Sequence, residues 1–322
     1  MGVTVVGSIA FDRVKSPFGE RKRMLGGAAT HFALAASFFD TVSVVGPVGD
    51  DFGEEHIEML RTRGTNVSDI ERVPGGRTFF WHGEYGWDLN QCQTHATELG
   101  VFADFEPKLS AASRECDVLF LANIQPALQL AVRQHCHTAR FVALDSMNFW
   151  IDTARDELLD VLRTVDCVLL NDAELRQLTG RPNVLTAARE LQLLGPRVIV
   201  AKQGEYGASM VTPDSFFSLP AFPLATVIDP TGAGDTFAGG FLGYVAKHAD
   251  LGLTDSVLRQ AMAYGTALAS FNVEEFGTDR VARLTADEIR DRVDGLTRIT
   301  AFEHAPVELA TPALIPTHLE NE

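Results

Sequence analysis

The sequence predicts an α/β fold: a mostly parallel central sheet with helices on both faces, and a smaller sheet beside it. Two observations carry this. Short apolar runs bounded by glycine or polar residues alternate with stretches of helical periodicity, which is the pattern of strands joined by helical crossovers. Two other segments mix aromatic and polar residues at near period two, as half-buried antiparallel strands do. With 322 residues, 46% of them hydrophobic, the chain can bury a large core.

Taken in order, VTVVG (3–7) reads as the first buried strand, and FDRVKSPFGERKRML (11–25) is the first segment to break the alternation. A helical pattern at 28–39 leads to the strand VSVVG (42–46), and a second follows at 51–63. RTFFWHGEYGWDLNQCQTHATELG (77–100) breaks the alternation again, and is expected to pair with 11–25 as a small sheet. Its aromatic residues and Phe11 suit either a pocket wall or packing against the main body. DVLFLA (117–122), RFVALD (140–145), DCVLLN (166–171), RVIVAK (197–202) and ATVID (225–229) read as further strands. Helical patterns lie at 155–164, 172–179 and 184–194, the second of them stopped by Gly180 with Pro182 beyond. The expected division is one α/β domain over 1–302 and an irregular tail over 303–322, where three prolines interrupt a stretch without periodicity.

Composition narrows the function. A net charge of -16 argues against nucleic acid as partner, because phosphate backbones are met by basic surfaces. No apolar run approaches the ~20 residues of a membrane span, so a cytoplasmic location is expected. Cys92, Cys116, Cys136 and Cys167 are scattered, and suggest neither a disulfide framework nor a zinc site.

Three short motifs carry chemistry. In DPTGAGDTFAGGF (229–241), Gly232 and Gly234 allow successive N–H groups to point into one concavity at the start of an apolar helix, where an anion is favoured. The turn is neither a Walker A loop nor a dinucleotide fingerprint, since Lys and Ser or Thr are absent after Gly239 and Phe237 follows Gly234 by three. Asp235 is open to two readings, a catalytic carboxylate or an ordinary helix cap. In NDAE, Asn171 and Glu174 either form a capping box or hold the water shell of Mg²⁺. In KQGEYG, Lys202 ends a strand before a turn permitted by Gly204 and Gly207, and suits a phosphate contact or a surface ion pair.

Together these motifs resemble the ribokinase (PfkB) family of ATP-dependent carbohydrate and nucleoside kinases, over almost the whole chain. DPTGAGD matches the family's D-T-x-G-A-G-D signature with Pro230 in place of Thr, Asn171 and Glu174 match N-x-x-E, and Lys202 with Gly204 matches K-x-G. GSIAFD (7–12), GGAATHFALAA (from Gly26) and GPVGDDFG (46–53) follow the family's N-terminal order. Two departures stand out: His31 occupies a position where many members have Asn, and DSMNFW (145–150) differs from the D-P-N-x-R run of fructokinase-like members.

The resemblance implies a three-layer α/β/α fold with the small sheet as a lid over the acceptor. It implies Asp235 as general base, the N–H groups of Gly232, Ala233 and Gly234 as an anion hole, and Lys202 and Gly204 at the phosphates. Asn171 and Glu174 would organise Mg²⁺ through water. Asp12, Gly26, Gly27 and His31 would meet the acceptor, and Asp229 would lie near a K⁺ ion. A carboxylate at a helix start is expected to stay ionised easily. The acceptor is then the primary hydroxyl of a sugar, or alternatively of a nucleoside, with a non-catalytic sensor as the third reading. Association of two chains through the lid edges is a further expectation.

Overall fold

The computed structural model describes residues 2–304. The chain runs through β1 (Val3–Val6), the hairpin β2 (Ala10–Ser16) and β3 (Gly19–Gly26), α1 (Ala28–Ala36), β4 (Val42–Val48), α2 (Glu54–Thr62) and β5 (Thr65–Arg72). A second hairpin, β6 (Phe79–Tyr85) and β7 (Cys92–Glu98), precedes α3 (Ala111–Arg114), β8 (Val118–Leu121), α4 (Pro126–His135) and β9 (Phe141–Leu144). Then come α5 (Asn148–Thr153), α6 (Arg155–Leu162), β10 (Cys167–Asn171), α7 (Asp172–Thr179), α8 (Val184–Gln192), β11 (Val198–Lys202), β12 (Ala208–Val211) and β13 (Phe216–Leu219). The last helices are α9 (Ala233–Lys247), α10 (Asp255–Asn272), α11 (Asp279–Ala282) and α12 (Ala286–Thr300).

Nine strands form the main sheet in the order β13-β12-β11-β10-β9-β8-β1-β4-β5. Seven of them are parallel, and only β12 and β13 pair antiparallel at one edge. The central strands are fully buried, because helices cover both faces, and this is why they read as continuous apolar runs. On one face Val3, Val5 and Phe120 pack with Phe32 of α1 and Phe241 of α9. On the other, Leu119, Leu121 and Leu170 pack with Val132, Leu158 and Leu175 of α4, α6 and α7. Later strands extend the sheet from β1 in one direction through β4 and in the other through β8, so the topology reverses beside β1. Ligands of open α/β sheets bind at the carboxyl ends of strands near such a reversal.

The two irregular segments do form a separate four-stranded sheet, in the order β3-β2-β6-β7. Each segment is an antiparallel hairpin, and the hairpins join through the parallel pair β2 and β6. Phe11 packs inward against Phe52 and His56, as the core reading of the aromatics requires, whereas Trp87 is 84% exposed.

One expected strand does not form. Residues 225–229 are irregular, and the N–H groups of Ile228 and Asp229 turn to a single carbonyl, Val273 O, at the end of α10. An apolar run buried against a helix end looks like a strand because burial, and not pairing, sets its composition. The expected tail at 303–322 lies outside the described residues from 305 onward. Among the described residues, no helix is long and apolar enough to cross a membrane.

Candidate active site

The carboxyl ends of three adjacent parallel strands supply the first group of side chains. Asp145 follows β9, Asn171 ends β10 and Lys202 ends β11, with Asn171 and Lys202 in register. Lys202 Nζ donates to Asp145 Oδ2 at 2.7 Å, and both side chains are largely buried. Asp145 Oδ1 accepts the Ser146 N–H, which fixes the carboxylate at the strand end. Burial opposes the Lys202 charge, but Asp145, Glu174 and Asp235 together hold its pKa above the usual lysine value.

Asn171 and Glu174 form the capping box of α7. Asn171 Oδ1 accepts the Glu174 N–H at 2.7 Å, and Glu174 Oε2 accepts the Asn171 N–H at 2.9 Å. The box leaves Glu174 Oε1 outside it, in a cluster with Asp145 and Asp235. Burial, then Asp145, push the Glu174 carboxyl up to about 7 against the pull of Lys202. Among the described residues no three acidic, His or Cys side chains are placed to hold a metal directly. A hard ion that keeps its water shell and binds phosphate oxygens fits this donor set, since it needs only nearby carboxylates and an amide.

The glycine turn opens α9. Gly232 occupies the N-cap with φ +74°, and no side chain caps this helix. Asp235 is the third residue of the helix, so it is not the cap that one sequence reading allowed. A side chain at Gly232 would meet the His31 ring at 2.4 Å, and one at Gly234 would meet Lys202 Nζ at 3.1 Å. The absence of Cβ atoms therefore lets the turn sit directly on the imidazole with the ammonium at its side. The Ala233 N–H closes the turn by donating to Pro230 O at 3.2 Å, and Gly234 in the first turn of the helix lies beside Lys202.

Asp235 keeps its proton to a higher pH than a carboxyl at a helix start is expected to. Burial first, and the Asp145 charge second, raise its carboxyl to about 7, with Lys202 opposing. Both of the raising causes, burial and the acidic neighbour, are supplied by the tertiary fold.

Asp229 is 0% exposed and shapes the turn from below. Its Oδ1 accepts the Thr231 N–H at 2.9 Å and its Oδ2 the Gly277 N–H at 3.0 Å, so both oxygens are engaged. His31, 2% exposed, lies under Gly232 and does not open to the cleft. Asn272 Nδ2 donates to Thr231 O at 2.7 Å, so its Oδ1 is an acceptor, shared by Thr236 Oγ1 and His31 Nδ1 at 3.0 Å each. His31 must then carry its proton on Nδ1. Burial lowers its pKa to about 4, which keeps the ring neutral, and Nε2 is buried without a protein partner.

Across the cleft, Asp12 lies in β2, 4% exposed, with its carboxylate against Gly26, where a Cβ would stand 1.9 Å from Oδ2. Gly27, at φ +94°, is the N-cap of α1 and donates its N–H to Asp12. Burial, then Asp229 and Asp235, push the Asp12 carboxyl up to about 8, so the carboxylates from the two sides of the cleft feel each other. The lid sheet closes this side, and Thr231 Oγ1 donates to Tyr85 Oη at 3.3 Å. Beyond the turn lies a cavity of about 500 Å³. Lys202 and Gly234 stand at its polar end, and Phe222, Leu224, Val227 and Val273 form an apolar end. Gly204, at φ +57°, lines it between them.

The sequence reading named the charged and glycine residues of this group except Asp145, and counted Tyr85 and Trp87 among aromatics suited to a pocket wall; it did not single out Asn272, Asn90 or the apolar lining Phe222, Leu224, Val227 and Val273. Asp145 had a signal: like Asn171 and Lys202 it is a polar residue at the carboxyl end of an apolar strand. Asn272 had none, since it meets Thr231 from 41 residues away.

From residue 4 to 283 the chain matches the family described as pfkB family carbohydrate kinase. It is 30% identical over 251 residues to a cytidine kinase of Thermococcus kodakarensis, covering 75% of this chain and 87% of that protein. It is 26% identical to a deoxyribokinase of Salmonella typhi, over 79% and 82% of the two chains. Among solved structures, the nucleoside kinase of Methanocaldococcus jannaschii superposes with a TM-score of 0.72 at 21% identity, covering 91% of this chain and 98% of that one. The aminoimidazole riboside kinase of Salmonella enterica, complexed with aminoimidazole riboside and an ATP analogue, gives 0.71 at 19% identity, over 91% and 100%. The match runs through both sheets and both sides of the cleft, and the chain belongs to the pfkB family of carbohydrate and nucleoside kinases.

Proposed function

We propose that Asp235 is the general base of an ATP-dependent kinase acting on the primary hydroxyl of a sugar unit, and that the turn 232–234 is its anion hole. The observation that carries this is the meeting of Asp235, Lys202 and the uncapped start of α9 at one end of the cleft, opposite Asp12. Asp235 accepts the hydroxyl proton as the acceptor oxygen bonds to the γ-phosphorus and the bond to the ADP oxygen breaks. A carboxyl raised to about 7 is well matched to that transfer, because its proton affinity suits both protonation states near neutral pH. The N–H groups of Gly232, Ala233 and Gly234, with Lys202, bind the charge on the transferring group. Asp12 accepts hydrogen bonds from acceptor hydroxyls, and the bare backbone at Gly26 and Gly27 admits a sugar closely. His31 supports the turn from beneath, through contact with Gly232 and its bond to Asn272.

ATP occupies the cavity behind the turn, its base at the apolar end and its phosphates toward Lys202, Gly204 and Gly234. Mg²⁺, held through water by Asn171 and Glu174, would neutralise phosphate charge there. A nucleoside acceptor is supported by the 30% identity to a cytidine kinase, and a free sugar by the 26% identity to a deoxyribokinase.

ADP release measured across a panel of sugars and nucleosides, in K⁺ and in Na⁺ buffers, tests the acceptor and any K⁺ site beside Asp229 together. Asp235→Asn is expected to lower kcat by about 100-fold or more while ATP still binds. A smaller loss removes Asp235 from the role of base, and binding without turnover in the wild type replaces the kinase by a sensor.

A further inference from the structure

The lid turn between β6 and β7 belongs to the acceptor side of the molecule by topology, since β6 pairs with the strand that carries Asp12. Its tip nevertheless crosses to the other ligand. Trp87, Asp88, Leu89 and Asn90 line the same cavity as Lys202, Phe222 and Val273. The crossing is fastened at two points. Tyr85 Oη accepts from Thr231 next to the anion turn, and Asn90 forms a reciprocal pair with Glu205, its Nδ2 donating to Glu205 Oε1 at 3.1 Å and its Oδ1 accepting the Glu205 N–H at 3.3 Å. The tip is held in shape by Asp88, whose Oδ1 accepts the Asn90 N–H and whose carbonyl accepts that of Gln91.

The core side is shaped to receive it. A Cβ on Gly204 would lie 2.1 Å from Asn90 Oδ1, so the carboxamide rests on bare backbone at a residue whose positive φ already favours glycine. Trp87 remains 84% exposed at the mouth of the cavity, touched edge-on by Phe18 of the other lid hairpin at 6.3 Å. A large aromatic held there presents apolar surface to whatever fills the cavity.

We propose that this turn is a wall of the nucleotide site, with Trp87 packing over bound nucleotide and Asn90 latching the wall to Gly204 and Glu205. The inference rests on the cavity being the ATP site. It couples the lid to both substrates: the sheet that covers the acceptor through β2 is the same body whose far tip packs on the nucleotide. Lid closure then excludes water from the γ-phosphoryl group when both are present.

The test is a titration of the whole protein with Mg²⁺·ADP, followed by tryptophan emission and, separately, by equilibrium dialysis, in wild type, Trp87→Phe and Asn90→Ala. Trp81 and Trp150 are the other tryptophans, so Trp87→Phe isolates the signal of the wall while retaining an aromatic ring. Nucleotide is expected to change the wild-type emission, Trp87→Phe to lose most of that change while still binding by dialysis, and Asn90→Ala to raise the dissociation constant about tenfold through the two lost hydrogen bonds. Asn90→Asp, which sets a carboxylate against Glu205, is expected to weaken binding at least as much, and serves if the alanine variant folds poorly. An emission change that persists in Trp87→Phe, or an unaltered dissociation constant in both Asn90 variants, overturns the proposal. A wild type that retains no nucleotide in dialysis overturns the kinase reading itself, and the wall with it.

Discussion

Replacing Asp145 by Asn should move the acid limb of the pH profile downward. The Asp235 carboxyl is raised from 3.8 to about 7, a span of roughly 3 units, with burial the larger cause and Asp145 the second. Asp145 supplies less of the rise than burial does, and each unit it supplies corresponds to ~1.4 kcal/mol of differential stabilisation of the charged base. The substitution also frees Lys202 from its 2.7 Å ion pair, leaving the ammonium to Asp235 and Glu174, and this adds to the shift in the same direction. The assay is ADP formation at low ATP and saturating acceptor between about pH 5.5 and 9, because kcat/KM for ATP reports ionisations of the enzyme before ATP binds. In the wild type the rate should rise with pH through about 7, as the base loses its proton. In Asp145→Asn the midpoint should fall clearly below the wild-type value of about 7, with a reduced plateau from the altered Lys202. A midpoint that stays in place or moves upward refutes the claim that Asp145 tunes the base.

Two further outcomes follow from the same geometry. Gly232→Ala should lower kcat sharply and cost on the order of 1–3 kcal/mol of stability, read by denaturant titration, because the φ of +74° is strained for alanine and its Cβ would strike the His31 ring. Wild-type stability from Gly232→Ala would show that the turn and the imidazole move apart freely. Asp12 has a folded pKa of about 8 against 3.8 as its ordinary value, so the folded state binds the extra proton between them. Its contribution is complete below about pH 4 and lost as pH rises through 8, so Asp12→Asn should gain stability relative to wild type above pH 8 while losing acceptor binding. A melting temperature for Asp12→Asn that tracks the wild type at both pH 5 and pH 9 would count against the buried, strained carboxyl.

Much of the fold was legible because its signals are local. The central parallel strands and the lid hairpins declare themselves in continuous apolar runs and in period-two mixtures. By contrast β5 and β13 at the sheet edges, and β12 beside β13, form in stretches not read as strands; the two edge strands are only partly buried, which weakens their apolar run. The failure at 225–229 has the same origin: composition reports burial, and only the hydrogen bonds to Val273 show that the partner is a helix end. The glycine turn, the Asn171–Glu174 pair and Lys202 were readable for a related reason, since each is a few residues long and its backbone demands are written in consecutive positions.

The field acting on those residues was not readable. Whether Asp235 is ionised depends first on its burial and then on Asp145, brought beside it by a strand 90 residues earlier, and neither is displayed at the helix start that the sequence shows. His31 seemed a residue of the acceptor side, yet Asn272 and Gly232 place it beneath the anion turn as a neutral support. The lid turn looked like part of the acceptor's cover, and Asn90 ties it to Glu205 at the edge of the cavity that Lys202 lines. Sequence by itself determined which groups exist and which turns their backbones can make; distance, dielectric and charge between groups far apart in the chain are set only when the sheets and helices pack, and those are what decide protonation and partnership.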